Sequence, residues 1–131
     1  MERAVLLFDS DCGFCRWSVD KVMRWDRGHR IRLVALQDPE ADAFLGDMPE
    51  AERMGSWHLV ADGGRVYSGG AVAAPLLRLL PGGRRLARVF AAFPGTTERS
   101  YRWAARNRDR LGRLTRQAAA QCRVRFDRYR R

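Results

Sequence analysis

The strongest constraint on how this chain folds is an apolar run that passes directly into a pair of cysteines. Residues 3–8 are almost all apolar and predict a strand buried on both faces, as in a parallel sheet. A helix is predicted from Cys12 to about Asp26, because an apolar stripe that begins at Cys15 repeats at helical spacing. Residues 30–36 predict a second strand. The chain therefore opens with a β-α-β unit, which forms a right-handed parallel crossover.

The remaining pattern predicts an α/β domain around a small mixed sheet. Two further strands, separated by a turn, form an antiparallel hairpin, and helices precede and follow it. The strands are predicted at 57–61 and 65–67, and the helices at 41–45, 50–54, 71–80, 86–93 and from about 96 through 111. The order β-α-β-α-β-β-α, with additional C-terminal helices, predicts a thioredoxin-like fold with a central mixed four-stranded sheet.

Length and composition indicate one folded domain and a basic tail. The chain has 131 residues, of which 46% are hydrophobic, enough to bury a core without disulfides or a structural metal. Its formal net charge of +10 comes almost wholly from arginine and lies mostly toward the C-terminus. Residues 1–114 are predicted to form the domain, and 115–131 an Arg-rich extension. No apolar stretch approaches the roughly 20 residues of a membrane span, and no secretory signal is visible, so a cytoplasmic protein is expected.

Cys12 and Cys15 have the spacing of a redox-active dithiol. On the first turn of a helix they share one face, within the roughly 4.4–6.8 Å Cα separation that a disulfide needs. Cys12 lies at the helix N-terminus, where unpaired backbone N–H groups stabilise a thiolate, so it is the predicted nucleophile. Cys15 belongs to the apolar stripe and is predicted to be the more buried, resolving thiol.

Residues next to the two cysteines complete the candidate site. Asp9, at the mouth of a buried strand, is predicted to exchange the proton of Cys15, whereas Asp11 is predicted to cap the helix. Gly13 allows a substrate to approach closely. Phe14 is either a hydrophobic lip beside the sulfur or an anchor in the core.

Zinc is the main competing use of the cysteines, because CxxC is half of many zinc sites. Zinc would need two more ligands, and the only candidates are His29, His58 and Cys122. Because these three residues are isolated in the sequence, no metal site is predicted. An iron–sulfur cluster lacks supporting cysteine spacing in the same way. No cofactor is expected beyond the redox-active disulfide, with glutathione as a candidate thiol co-substrate.

The motif Asp9-x-x-Cys12-x-x-Cys15, in the form FDSDCGFC, resembles the opening of the DCC family of predicted thiol-disulfide oxidoreductases. The resemblance continues through IRLVALQDPEA, DGGRVYSGGAVAAPLLRLLPG and YRWAARNRDRLGRL, and so covers most of the chain to about residue 114. It implies a thioredoxin-like fold and a dithiol site at Cys12 and Cys15, with Asp9 completing the motif.

A wider resemblance, to glutaredoxins, concerns the hairpin. GSWHLV, a turn and then Gly69-Gly70 resemble the strand, hairpin and Gly-Gly stretch with which glutaredoxins contact glutathione. The likeness implies that Gly69 and Gly70 bind substrate. Thioredoxins and glutaredoxins place a cis-proline before this strand, where the present chain has Gly55-Ser56. Ser56 is therefore expected to take the positional role of that proline.

Together these features predict a thiol-disulfide oxidoreductase that forms a mixed disulfide with a protein or a low-molecular-weight thiol. The alternative is a non-catalytic thioredoxin-like module that docks on an acidic protein or nucleic acid through the Arg-rich C-terminal helix. Arg108 shares a helical face with Tyr101 and is predicted to dock the late helix near the dithiol. A buried arginine needs a partner, and the carboxylates of Asp9 and Asp11 are the expected ones.

Overall fold

A mixed four-stranded sheet forms the centre of the molecule. In the computed structural model, which describes residues 3–61 and 63–114, the strands are β1 (Ala4–Phe8), β2 (Ile31–Ala35), β3 (His58–Ala61) and β4 (Arg65–Ser68). Their order across the sheet is β2-β1-β3-β4. Leu6 at the centre of β1 faces Leu33 of the parallel β2 and Leu59 of the antiparallel β3. The predicted β-α-β opening and antiparallel hairpin are both confirmed.

Helices lie on both sides of this sheet. They are α1 (Gly13–Trp25), α2 (Ala41–Leu45), α3 (Glu50–Gly55), α4 (Ala73–Leu79), α5 (Arg84–Ala92), α6 (Pro94–Arg106) and α7 (Arg108–Leu114). A 3₁₀ turn, Gly69–Val72, joins β4 to α4. No helix among residues 3–61 and 63–114 is long and apolar enough to cross a membrane.

The alternation of side chains along β1 divides the core into two layers. All five residues of β1 are buried, as the continuous apolar run predicts. Leu6 and Phe8 face one layer with Val19 of α1 and Leu76 of α4. Val5 and Leu7 face the other, which is covered by α2 and α3. Helices on both faces of a β2-β1-β3-β4 mixed sheet are the predicted thioredoxin-like arrangement.

The C-terminal segment is predicted as one helix but folds as two. The helix is interrupted at Asn107, whose φ of −105° and ψ of 14° end α6. Helix α7 starts at the next residue. α6 packs on the 3₁₀ turn after β4, and α7 packs on α1. The break lets two short helices cover neighbouring surfaces that one straight helix would not follow. The predicted extension, residues 115–131, and Cys122 within it lie outside the described residues.

Candidate active site

The two cysteines lie where β1 ends and α1 begins. Cys12 is the N-cap of α1, with extended backbone angles of φ −86° and ψ 115°. Its Sγ accepts a hydrogen bond from the backbone N–H of Cys15 at 3.3 Å. The prediction that Asp11 caps this helix is wrong, because the sulfur of Cys12 takes that position. A capping sulfur is held by a helix-terminal N–H group, which favours its charged form.

The second partner of the Cys12 sulfur is the thiol of Cys15. Cys15 Sγ lies 2.6 Å from Cys12 Sγ and donates to it. This hydrogen bond is the main reason that the pKa of Cys12 falls from 9.0 to about 6, against the opposing effect of partial burial. The same bond, followed by burial, raises the pKa of Cys15, which therefore keeps its proton. The pair is thus asymmetric, with a thiolate at Cys12 and a thiol at Cys15.

Two charged side chains shift the pKa values of the dithiol in opposite directions. The charge of Arg108 lowers the pKa of both cysteines, and the charge of Asp9 raises them, each by less than the contacts between the sulfurs. Arg108 is half-buried, and its Nη1 lies 3.5 Å from the backbone oxygen of Met54. The predicted docking of Arg108 near the dithiol is confirmed. The hydrogen-bond partner is this carbonyl oxygen rather than the expected carboxylate of Asp9 or Asp11.

Asp9 is fixed by a residue that the sequence reasoning missed. Asp9 Oδ1 accepts hydrogen bonds from the backbone N–H of Asp11 at 3.0 Å and from Gln37 Nε2 at 2.6 Å. Gln37 Oε1 in turn accepts from the backbone N–H and the hydroxyl of Ser10, at 3.1 and 2.9 Å. The sequence signal that could have revealed this contact was the position of the two residues, because Gln37 lies just after β2 and Asp9 lies just after β1. The carboxyl ends of neighbouring parallel strands lie at one edge of a sheet.

A cavity of about 190 Å³ opens beside Cys15, between α1, α6 and the segment before β3. Asp9, Arg108 and Cys15 all line this cavity, and most of its other lining residues are apolar. The lining residues are Asp9, Phe14, Cys15, Ser18, Met54, Gly55, Ser56, Trp57, Tyr101, Ala104, Ala105 and Arg108. Tyr101, Ala104 and Ala105 of α6 and Arg108 of α7 all line this cavity, so Arg108 and Tyr101 meet at one space, although they lie on two helices and not on one as predicted.

Tyr101 seals one side of the cavity. Its hydroxyl accepts a hydrogen bond from the backbone N–H of Trp57 at 3.0 Å, and the two rings stack with centroids 6.1 Å apart. Burial raises the pKa of Tyr101 to about 12, so the hydroxyl stays neutral. This contact ties α6 to the segment that leads into β3.

The predicted substrate-binding residues lie around the dithiol and along a second cleft. Gly13 is the first residue of α1, and Phe14 stacks on Trp17 with ring centroids 6.0 Å apart while lining the cavity. Ser56 is extended and borders both the cavity and a wider cleft of about 540 Å³. Gly69 borders the wider cleft only.

Gly70 is placed differently from its neighbour. Both glycines are buried, but Gly70 does not line the wider cleft, and its backbone N–H donates to Glu98 Oε2 at 2.9 Å. No cis peptide bond occurs among the described residues. Gly55 and Ser56 directly precede Trp57 and β3.

Among the described residues, the two histidines that were considered as zinc ligands, His29 and His58, form no metal-binding cluster with the cysteines. Within the described residues, no three of His, Cys, Asp or Glu come together as they would around a metal ion. His58 is fully buried in β3, where Nδ1 lies 2.7 Å from Ser68 Oγ and Nε2 lies 2.9 Å from the carbonyl oxygen of Arg53. His29 lies in the α1–β2 connection with a positive φ of 50°.

A dithiol at a β1–α1 junction of a thioredoxin-like fold is the active-site arrangement of a thiol-disulfide oxidoreductase. A comparison with family models agrees, since the model described as DCC1-like thiol-disulfide oxidoreductase matches residues 6–114. The chain belongs to this family. No curated protein and no solved structure matches the chain significantly.

Proposed function

We propose that the protein exchanges disulfides through a mixed-disulfide intermediate, with Cys12 as the attacking thiol and Cys15 as the resolving thiol. The observation that carries this assignment is the position of Cys12 as the N-cap of α1, where its Sγ accepts a hydrogen bond from the backbone N–H of Cys15 at 3.3 Å. A sulfur held by a helix-terminal N–H group is the better thiolate. The thiolate is the nucleophile in thiol-disulfide exchange.

In the first step, the Cys12 thiolate attacks one sulfur of a substrate disulfide. The bond between the substrate sulfurs breaks, a bond forms between Cys12 and one substrate half, and the other half leaves as a thiolate. Cys15 then loses its proton and attacks Cys12 Sγ, which releases the second half. The substrate disulfide is reduced to two thiols by two electrons, and Cys12 and Cys15 are oxidised to a disulfide. The reverse sequence oxidises a substrate dithiol.

Asp9 is the proposed acceptor of the proton that Cys15 loses. It lines the same cavity as Cys15, and its Oδ1 is held in place by Gln37. A carboxylate positioned in this way serves as a general base, directly or through one water molecule. Asp11 is a matched control, because it neighbours Asp9 but does not line the cavity. Asp9→Asn should slow disulfide exchange, and Asp11→Asn should leave the rate near that of the wild type.

The substrate is proposed to lie across Cys12 toward the cavity and the wider cleft. Gly13 leaves room at the attacking sulfur, Phe14 provides an apolar wall, and Ser56 lies between the two spaces. Gly69 would form the far end of this surface, whereas the buried Gly70, whose N–H is bonded to Glu98, would not contact the substrate. The wider cleft carries both signs of charge, because Glu52 and Glu98 line it together with Arg102 and Arg106, and Arg102 pairs with Glu98 at 3.2 Å. Its charge therefore does not select one class of substrate.

Pulsed alkylation tests the roles of the two cysteines. The reduced protein is exposed briefly to iodoacetamide near neutral pH, and the modified peptides are quantified by mass spectrometry. Cys12 should be modified well before Cys15, because only Cys12 is a thiolate at that pH. Equal modification, or faster modification of Cys15, would refute the assignment. Both Cys12→Ser and Cys15→Ser should abolish turnover of a disulfide that requires both thiols.

A further inference from the structure

Helix α5 exposes a stripe of large apolar side chains. Leu86 and Val89 of α5 and Phe93, the residue directly after the helix, follow one another at a spacing of three and four residues, and they are 44%, 54% and 61% exposed. The adjacent side of the helix is held against the domain by Ala87, which is buried, and by Phe90, which is half-buried. The exposed stripe is therefore not needed to attach α5 to the core. A contiguous apolar stripe, unlike a single exposed side chain, indicates a surface that binds something.

Arginines occupy the neighbouring face of α5 and a cleft at the start of that helix. Arg84 and Arg85, at the start of α5, line a cleft of about 390 Å³ together with Arg30 and Arg78. Arg88 lies one turn further along the helix. No acidic residue lines the cleft, and the sequence has no Asp or Glu from 63 to 97. The salt bridges within residues 3–61 and 63–114 involve other arginines, so no carboxylate of these residues neutralises the five guanidinium groups.

We propose that α5 and the arginine cleft dock the protein on an anionic phospholipid surface. The guanidinium groups would bind lipid phosphates, and Leu86, Val89 and Phe93 would insert at the boundary between headgroups and acyl chains. Trp25 would lie at the same boundary, since it is 38% exposed and its indole N–H donates to the carbonyl of Pro81 in the cleft wall. Nucleic acid would match the arginines but not the aliphatic stripe. The combination of both features selects a lipid surface.

The proposed surface lies away from the dithiol. Cys12 precedes α1, whereas Gly28 in the cleft follows it, and the 13 residues of α1 span about 20 Å. Docking through the cleft would leave the dithiol facing away from the lipid. The proposal therefore does not depend on the roles assigned to Cys12 and Cys15.

Co-sedimentation of the full chain with vesicles tests the proposal. One set of vesicles is phosphatidylcholine, and the other is phosphatidylcholine mixed with phosphatidylglycerol. The protein should sediment with the mixed vesicles only, and added salt should weaken binding because it screens the charges. Two variants report on the surface, Leu86→Ser/Val89→Ser/Phe93→Ser and Arg84→Gln/Arg85→Gln/Arg88→Gln. Each should lower the partition coefficient at least about tenfold.

Matched controls separate this surface from the general positive charge of the chain. Arg99→Gln/Arg110→Gln/Arg113→Gln removes the same charge from exposed positions on α6 and α7, and Leu114→Ser removes an apolar side chain that is 79% exposed. Both should retain most of the binding. All variants should keep wild-type circular dichroism and disulfide exchange in solution, and the single change Val89→Ser provides a milder test.

Several results would overturn the proposal. These are no sedimentation with anionic vesicles, equal binding to neutral vesicles, or an equal loss in the control arginine variant. Sedimentation velocity supplies another, because a concentration-dependent dimer that Val89→Ser dissolves would assign the stripe to a second copy of this chain.

Discussion

Replacing Cys15 with alanine should raise the pKa of Cys12, because the Cys15 thiol is the largest influence that lowers it. In the native pair this pKa falls from 9.0 to about 6. At pH 7, a thiol with the lower value is about nine-tenths thiolate, and one with the ordinary value is about one-hundredth thiolate. Most of the nucleophilic form at neutral pH therefore depends on the neighbouring side chain.

Cys15→Ser is the matched control, because serine keeps a hydrogen-bond donor at the position where alanine has none. The backbone N–H of residue 15 reaches Cys12 in both variants, so the comparison isolates the side-chain hydrogen bond. We expect Cys15→Ala to move the pKa of Cys12 from about 6 toward 9.0 by at least about one pH unit, which lowers the thiolate fraction at pH 7 from about nine-tenths to about one half or less. Cys15→Ser should remain closer to the native value.

The assay is the rate of iodoacetamide alkylation as a function of pH, in a Cys122→Ser background so that only Cys12 reacts. The midpoint of the rate profile gives the pKa of Cys12. If Cys15→Ala keeps its midpoint near 6, the reasoning is refuted. The thiolate would then depend on the helix N-terminus and Arg108 alone.

Three further predictions concern other parts of the structure. Arg108→Gln should raise the pKa of Cys12 and slow its alkylation roughly threefold at slightly acidic pH, whereas Arg110→Gln, exposed on the same helix, should not. Gly70→Ala should lower the free energy of unfolding, measured in urea, by about 1–3 kcal/mol, because the new Cβ would lie 2.8 Å from Glu98 Cα. Gly95→Ala is the control and should leave the free energy of unfolding unchanged, because no atom lies within 4 Å of its Cβ position. Burial lowers the pKa of His58 in the folded state below its ordinary 6.5, so stability should be intact above pH 6.5 and fall at lower pH, by at most about 1.4 kcal/mol per pH unit. His58→Asn should remove that dependence from urea unfolding curves measured across this range.

The fold was predictable because its signals are local. The apolar run of β1 predicts a strand buried on both faces, and the amphipathic pattern after Cys12 predicts α1. The order of elements then limits the sheet to a few topologies. The position of the two cysteines at the β1–α1 junction follows from the same pattern, so the core of the candidate site was also predictable.

The rest of the site depends on contacts between distant segments. Gln37 reaches Asp9 across 28 positions, and the Tyr101 hydroxyl meets the Trp57 N–H across 44. No periodicity predicts such pairs. The capping sulfur of Cys12 was missed because aspartate is the more common N-cap residue. The break at Asn107 was missed because residues 101–111 continue a helical pattern, and it is packing on both α1 and the 3₁₀ turn that requires two helices.

The central claim is that Cys12 attacks and Cys15 resolves, and trapping the intermediate tests it most directly. Cys12→Ser and Cys15→Ser are each reduced, mixed with oxidised glutathione and analysed as intact protein and as peptides by mass spectrometry. The account predicts that Cys15→Ser rapidly forms a glutathione adduct on Cys12, and that Cys12→Ser forms an adduct on Cys15 far more slowly. A faster adduct on Cys15, or equal rates at the two positions, would contradict it.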